Sequence, residues 1–284
     1  ADARLLAIAA PMMEANARLC ETTMPVAGLS LHGTDQYGAT PENWFANGPV
    51  TISAVAPGSN AAKAGLFPDD AVIAIGSMLL EDLPMEANAP RRDAVFAALA
   101  EQGQGNVMLT IMRDGNELEV ELQANPACRV LVELVTTDGM TAQSDGKIIQ
   151  IGQDLASNLS DGQLASVFAH ELAHVVLAHR KRLGEAGVSK GLAGELGRDR
   201  RLNREAEIEA DRMSVHLLAN AGYDPQLAPQ FWLSAEGRRM DRGILRSWKY
   251  PSAKSRAEIL AREISLYLPL GRGPSWPAHL LDRR

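Results

Sequence analysis

The stretch SVFAHELAHVVLAHR, residues 166–180, holds three of the chain's six histidines: His170, His174 and His179. Ser160 and Gln163 form a Ser-x-x-Gln capping box just ahead of this apolar run, and Gly184 supplies a stop after it. The spacing predicts one helix over residues 161–182. A helix turns by about 100° per residue, so positions four apart lie on one face and His170 and His174 project together. Two imidazoles so placed can chelate one metal ion, and Glu171 stands beside them where an attacking water would lie. This is the H-E-x-x-H arrangement, in which zinc acidifies a water and polarises a carbonyl while the glutamate takes the proton. On a continuous helix His179 falls about 180° from His170 and about 140° from His174. It is expected to point away from the metal, as a surface or second-layer residue near the helix end.

Two histidines leave a catalytic zinc short of a ligand, because such sites use three protein ligands and keep one position open. No third histidine follows at short spacing, since residues 175–180 read VVLAHR. A better source is NREAEIEADRMSVHLLANAGYDP, residues 203–225, a second predicted helix closed by Gly222 and Pro225. It offers Glu205, Glu207, Glu209 and Asp211. Glu207 and Asp211 share a face that runs on to Ser214 and Leu218, whereas Glu205 and Glu209 share another. A glutamate ligand with an aspartate one turn later, holding a ligand imidazole, is a chemically sensible pair. Spacing alone leaves the choice among the four acids open. His216 lies about 180° from Glu207 and is not expected to be a ligand.

Composition narrows the class. The chain has 284 residues, 46% of them apolar, enough for one large or two ordinary domains. A net charge of −7 argues against nucleic-acid binding. No run reaches the ~18 apolar residues of a membrane span. The chain begins Ala-Asp, in keeping with a trimmed precursor or a piece lacking its signal peptide. Two cysteines, Cys20 and Cys128, cannot build a four-thiolate zinc site. They are either one disulfide in an oxidising compartment or two free thiols.

Around the metal helix the reading is α+β. Residues 3–20 read as a helix and residues 28–37 alternate like a strand. Residues 129–135 and 147–152 read as paired strands, and helices dominate from 161 to 222 and from about 252 to 268. The glycine-rich segment 184–197 is either a lid or a connector. Residues 50–123 follow their own order of strand, short helix, strand, helix and hairpin. Pro57-Gly58-Ser59, Ala62, Ala64-Gly65-Leu66, Asp70 and Arg113-Asp114-Gly115 resemble a bacterial PDZ domain, with Asp69 where that pattern has glycine. The Asp114-Gly115 pair fits a two-residue type I′ turn. The expected organisation is a PDZ-like domain at 44–123 inserted into the domain that carries the metal helix, formed by 1–43 and 124–284. A bridge between Cys20 and Cys128 would close the chain across that insertion.

HELAH followed by EIEAD resembles the gluzincin zinc metallopeptidases of the HtpX and CAAX-prenyl-protease type, nearest their soluble BepA-like and Oma-type bacterial members. The likeness runs through ANAGYDP, residues 219–225. It implies a mainly helical peptidase domain with a small sheet, and one zinc ion held by His170, His174 and Glu207. It also implies Glu171 as general base and Asp211 behind a ligand. Such proteins often carry His-Pro and then Arg downstream; here Tyr250-Pro251 and Arg256 stand there. Tyr250 is thereby a candidate oxyanion donor and Arg256 a candidate neighbour of the ligands. The implied activity is endoproteolysis of envelope proteins or peptides in the periplasm or cell envelope, with peripheral membrane association possible. The PDZ-like part would bind a peptide C-terminus. Two rival readings are a chaperone-like adaptor with latent or structural zinc, and a metallo-aminopeptidase.

Overall fold

The structure is a computed structural model that describes residues 1–38, 44–102, 105–136, 141–188, 197–241, 251–268 and 274–282. It is an α+β fold that divides into two compact units. The first comprises Ala1–Ala10 and Thr22–Arg129, and the second Pro11–Glu21 and Val130–Arg284. Helix α1 (Asp2–Ala15) begins in the first and ends in the second. The helix expected to reach residue 20 stops at Ala15, and a single 3-10 turn, Ala17–Leu19, follows it.

Besides the start of α1, the described residues of the first unit form a sheet and two α-helices. Its strands are β1 (Thr23–Val26), β2 (Leu29–Gly33), β3 (Val50–Val55), β4 (Ala71–Ile75), β5 (Met78–Leu79), β6 (Gly105–Arg113) and β7 (Asn116–Cys128). Helices α2 (Asn60–Lys63) and α3 (Arg91–Glu101) lie between strands in sequence. The sheet order is β1-β7-β6-β4-β3-β2, with β5 on β4. The β6–β7 hairpin pairs Arg113 with Asn116, and its turn residues Asp114 and Gly115 both have positive φ (50° and 77°), as a type I′ turn requires. Asp69 also has positive φ, 71°, which accounts for glycine being the usual residue at such a turn. Asp70 beside it is buried and takes both oxygens to Arg113, at 2.6 Å each, while Arg113 also donates to the Gly65 carbonyl. Ile52, Val72, Val95, Leu109 and Ile111 fill the core of this unit.

Strand β7 runs five residues past the expected hairpin end at 123, through Pro126 to Cys128, and pairs with β1. Pro25 faces Pro126 in that ladder. β1 is an edge, and β7 has lost β6 as a neighbour beyond Ala124, so neither missing N–H breaks a central ladder. β1 and β2 thus belong to this sheet, although the sequence reading assigned residues 1–43 to the other domain. Cys20 and Cys128 are disulfide-bonded.

The second unit carries a three-stranded sheet of β8 (Leu131–Val135), β9 (Ala142–Ser144) and β10 (Ile148–Gly152), in the order β8-β10-β9. β10 runs parallel to β8 and antiparallel to β9. The strands expected at 129–135 and 147–152 are therefore paired. Helices α4 (Gln153–Asn158), α5 (Asp161–Val176), α6 (His179–Glu185), α7 (Gly197–Asn220), α8 (Leu227–Leu233), α9 (Ala235–Asp241), α10 (Ala253–Tyr267) and α11 (Ala278–Leu281) complete the unit. α5 packs on α7, α8 and the sheet, and α10 packs on α7 and α8. Phe168, Leu172, Met213, Leu217, Leu218, Ile149 and Ile151 are buried here, each contributing about 1.5–3 kcal/mol relative to exposure.

The helix predicted to run over 161–182 does not do so. α5 ends at Val176, Ala178 takes left-handed angles (φ 49°, ψ 36°), and α6 begins at His179. Residues 189–196, most of the glycine-rich segment, lie outside the described residues, as does Tyr250.

Candidate metal centre

Helix α5 starts as its sequence dictates. Ser160 Oγ accepts from the Gln163 N–H at 3.3 Å, and Gln163 Oε1 accepts from the Ser160 N–H at 2.9 Å. This capped start fixes the phase of the helix, so His170 and His174 project on one side, toward α7. α7 returns Glu207 and Asp211 from one of its own faces.

Three ligand-competent groups meet there: His170, His174 and Glu207. His170 Nε2 lies 3.2 Å from His174 Nε2 and 3.4 Å from Glu207 Oε2, and His174 Nε2 lies 3.7 Å from Glu207 Oε1. Tetrahedral ligands 2.0–2.1 Å from a zinc ion are about 3.3 Å apart, so these separations suit one ion. All three side chains keep a small solvent-facing fraction, which leaves the centre reachable.

The atoms behind the ligands are also occupied. His170 Nδ1 lies 3.1 Å from Asp211 Oδ1 and donates its proton there, so Nε2 is the nitrogen turned toward His174 and Glu207. Asp211 is itself gripped by Arg256, both of its oxygens receiving N–H groups at 2.6 Å. Arg256 lies on α10 with its guanidinium 3.6 Å from the Trp232 ring centre, and its Nη2 is 3.4 Å from His170 Nδ1. The structure thus brings Asp211 and Arg256 together behind His170.

Charge follows from this packing. Burial opposes a charge on His170, but the Asp211 and Glu207 carboxylates outweigh it and push its pKa up to about 10. Burial pushes His174 down to about 3. Burial also works against the Glu207 carboxylate, but the two imidazoles hold it down at about 2. Asp211 is lowered too: Arg256 outweighs its burial. Glu171 is different. Burial raises it to about 7, within the range useful for taking and returning a proton near neutrality.

His179 does not point away, as an unbroken helix would have it do. The break at Ala178 turns it back toward the centre, where its Nδ1 lies 2.9 Å from His174 Nδ1. Its Nε2 lies 3.3 Å from Glu209, which also accepts from Arg182 at 2.8 Å. Glu209 is buried in this contact and is not part of the ligand set; Glu205, on an exposed face, pairs with Arg201. Sequence reasoning missed His179 because it assumed an unbroken helix.

A second cluster, His216, Glu263 and His279, also brings ligand types together. Its histidine Nε2 atoms lie 3.0 and 2.7 Å from one oxygen, Glu263 Oε1, and Arg212 takes the other at 2.6 Å. Those are direct hydrogen-bond lengths, shorter than the spacing of ligands around a metal. His216 lies on the far side of α7 from Glu207, as its spacing predicted.

Residues 138–194 match peptidase family M48. The match takes in His170, Glu171 and His174 and ends before Glu207. Two curated relatives extend the likeness. A Vibrio cholerae protein named as a beta-barrel assembly-enhancing protease is 28% identical over 155 residues, 44% of this chain and 32% of that protein. The mitochondrial metalloendopeptidase OMA1 of Arabidopsis thaliana is 30% identical over 139 residues, 41% of this chain and 27% of that protein. The chain therefore spans about a third or less of the length of these relatives.

Proposed function

We propose that this chain is a zinc-dependent endopeptidase of the gluzincin type. The observation that carries the reading is the triangle of His170 Nε2, His174 Nε2 and the Glu207 carboxylate, with the Glu171 carboxyl one residue from the first ligand. His170, His174 and Glu207 would hold the zinc ion, which would supply Lewis acidity toward a scissile carbonyl and a bound water. Glu171 accepts the proton of the attacking water and passes it to the leaving amine. Its raised pKa of about 7 suits both directions of that transfer. Asp211 holds His170 in the tautomer that leaves Nε2 free, and Arg256 fixes Asp211. Tyr250 is assigned as an oxyanion donor from its place in the sequence only.

β9 is an edge of the small sheet that packs on α5, so an extended substrate can add to it as a further strand. That mode of binding favours cleavage within a chain over trimming from its end. β2 closes the larger sheet on one side with α3 packed beside it, a frame that suits the PDZ-like capture of a peptide C-terminus. The disulfide supports residence in an oxidising compartment such as the bacterial envelope. No helix among the described residues is long and apolar enough to cross a membrane.

The test is cleavage of unfolded casein by zinc-loaded protein, with and without a chelator, and with free or blocked substrate N-termini. The account expects internal cuts, loss with chelator, and no effect of blocking. Glu171→Gln should bind zinc as before and lose about 100- to 10,000-fold in kcat/KM. Unimpaired cleavage by Glu171→Gln would sink the base assignment. Resistance of blocked substrates would instead point to an aminopeptidase, and binding of casein without cleavage to an adaptor.

A further inference from the structure

The proposed hydrolysis makes no use of His179, yet this side chain is 3% exposed and sits against a metal-ligating imidazole. Its placement depends on the backbone. α5 stops at Val176, and Ala178 adopts a left-handed conformation that costs a non-glycine residue roughly 1–2 kcal/mol. An unbroken helix would carry His179 about 140° away from His174. The break instead brings the two rings to 4.9 Å between centres, with their Nδ1 atoms 2.9 Å apart.

Two imidazole nitrogens at that distance form a hydrogen bond only if one carries the proton. His174 Nε2 faces His170 and Glu207, and it must keep its lone pair to take a metal. The proton of His174 is therefore on Nδ1, and His179 Nδ1 accepts it. The proton of His179 then sits on Nε2, where Glu209 Oε2 accepts it at 3.3 Å. Arg182 Nη1 donates to the same carboxylate oxygen at 2.8 Å and fixes it in turn. With Nε2 of His174 given to a metal, this arrangement gives each of these donors an acceptor.

We propose that His179 is a positioning residue for His174: through Glu209 and Arg182 it locks His174 in the Nδ1–H tautomer and so presents Nε2 to the metal. The two ligand histidines are thereby oriented from opposite sides, His170 by Asp211 and Arg256, His174 by His179, Glu209 and Arg182. This inference rests on the zinc reading above.

The test uses the full chain, stripped of metal and titrated with zinc against a competing chelator. His179→Leu removes the acceptor. His179→Asn restores one, because its Oδ1 stands one bond beyond Cγ, as His179 Nδ1 does. Both variants lose the contact with Glu209, so a purely structural role would weaken both alike. The proposal expects zinc binding about 10- to 100-fold weaker in His179→Leu and near wild type in His179→Asn. Equal loss in both, or wild-type affinity in His179→Leu, would overturn it. If His179→Leu does not fold, nitrogen-15 NMR of the histidine rings in zinc-loaded wild type decides. His174 protonated on Nδ1 and His179 on Nε2 supports the proposal; His179 protonated on Nδ1 refutes it. Failure of the wild type to bind one zinc would instead defeat the underlying metal reading.

Discussion

At the scale of single residues, the centre shows how charge is distributed before a metal arrives. His170 has a pKa near 10 and Glu207 one near 2, so at pH 8 the metal-free site holds an imidazolium beside a carboxylate. Zinc must displace the Nε2 proton of His170 to bind. The folded metal-free protein keeps that proton until pH rises through about 10, so protons compete with zinc over the whole neutral and mildly alkaline range. Zinc affinity should therefore climb about tenfold per pH unit from 8 to 9.5, with about one proton released per ion. Chelator-competition titrations at several pH values would check this, and an affinity flat over that range would show that His170 is not protonated in the metal-free protein. His170, Glu171 and His174 were legible in the sequence because four-residue spacing on a capped helix leaves their geometry little freedom. The Glu207 and Asp211 pair was legible as a face, though spacing alone did not separate it from Glu205 and Glu209. His179 was not legible, because nothing in Leu177-Ala178 signals a left-handed turn in the way that glycine or asparagine would.

At the scale of elements, that turn is the feature on which the site's far side depends. Ala178→Gly should relieve the left-handed strain at Ala178, leaving stability equal or raised by up to about 1 kcal/mol, with zinc affinity unchanged. Ala178→Val places a β-branched residue at positive φ and should cost at least about 1 kcal/mol and weaken zinc binding together. Denaturant unfolding of the two variants, paired with zinc titration, measures both effects. A stable Ala178→Val with normal affinity would mean that α5 and α6 can rejoin without harm to the centre. The same limit on sequence reading shows in β1. A strand containing Pro25, paired with one containing Pro126, lacks the usual marks of a ladder, and its pairing partner lies about a hundred residues away in the chain. By contrast, the β6–β7 hairpin was readable because its turn chemistry is local: Asp114-Gly115 demands the conformation it adopts.

At the scale of the whole molecule, the disulfide closes a loop over residues 21–127. Closing so long a loop restricts the unfolded chain, and replacing both Cys20 and Cys128 with serine should cost about 2–5 kcal/mol. An unchanged denaturation midpoint would show that the bridge carries no such weight. Two clusters in the second unit bring two histidines and a glutamate together, and the account assigns metal to only one of them. His170, His174 and Glu207 stand at the spacing of ligands around an ion, whereas His216 and His279 hydrogen-bond Glu263 directly. An anomalous difference map at the zinc edge, from crystals of the zinc-loaded protein, tests this most directly. One peak is expected, bounded by His170 Nε2, His174 Nε2 and the Glu207 carboxylate; a peak at Glu263 instead, or none at Glu207, would overturn the assignment.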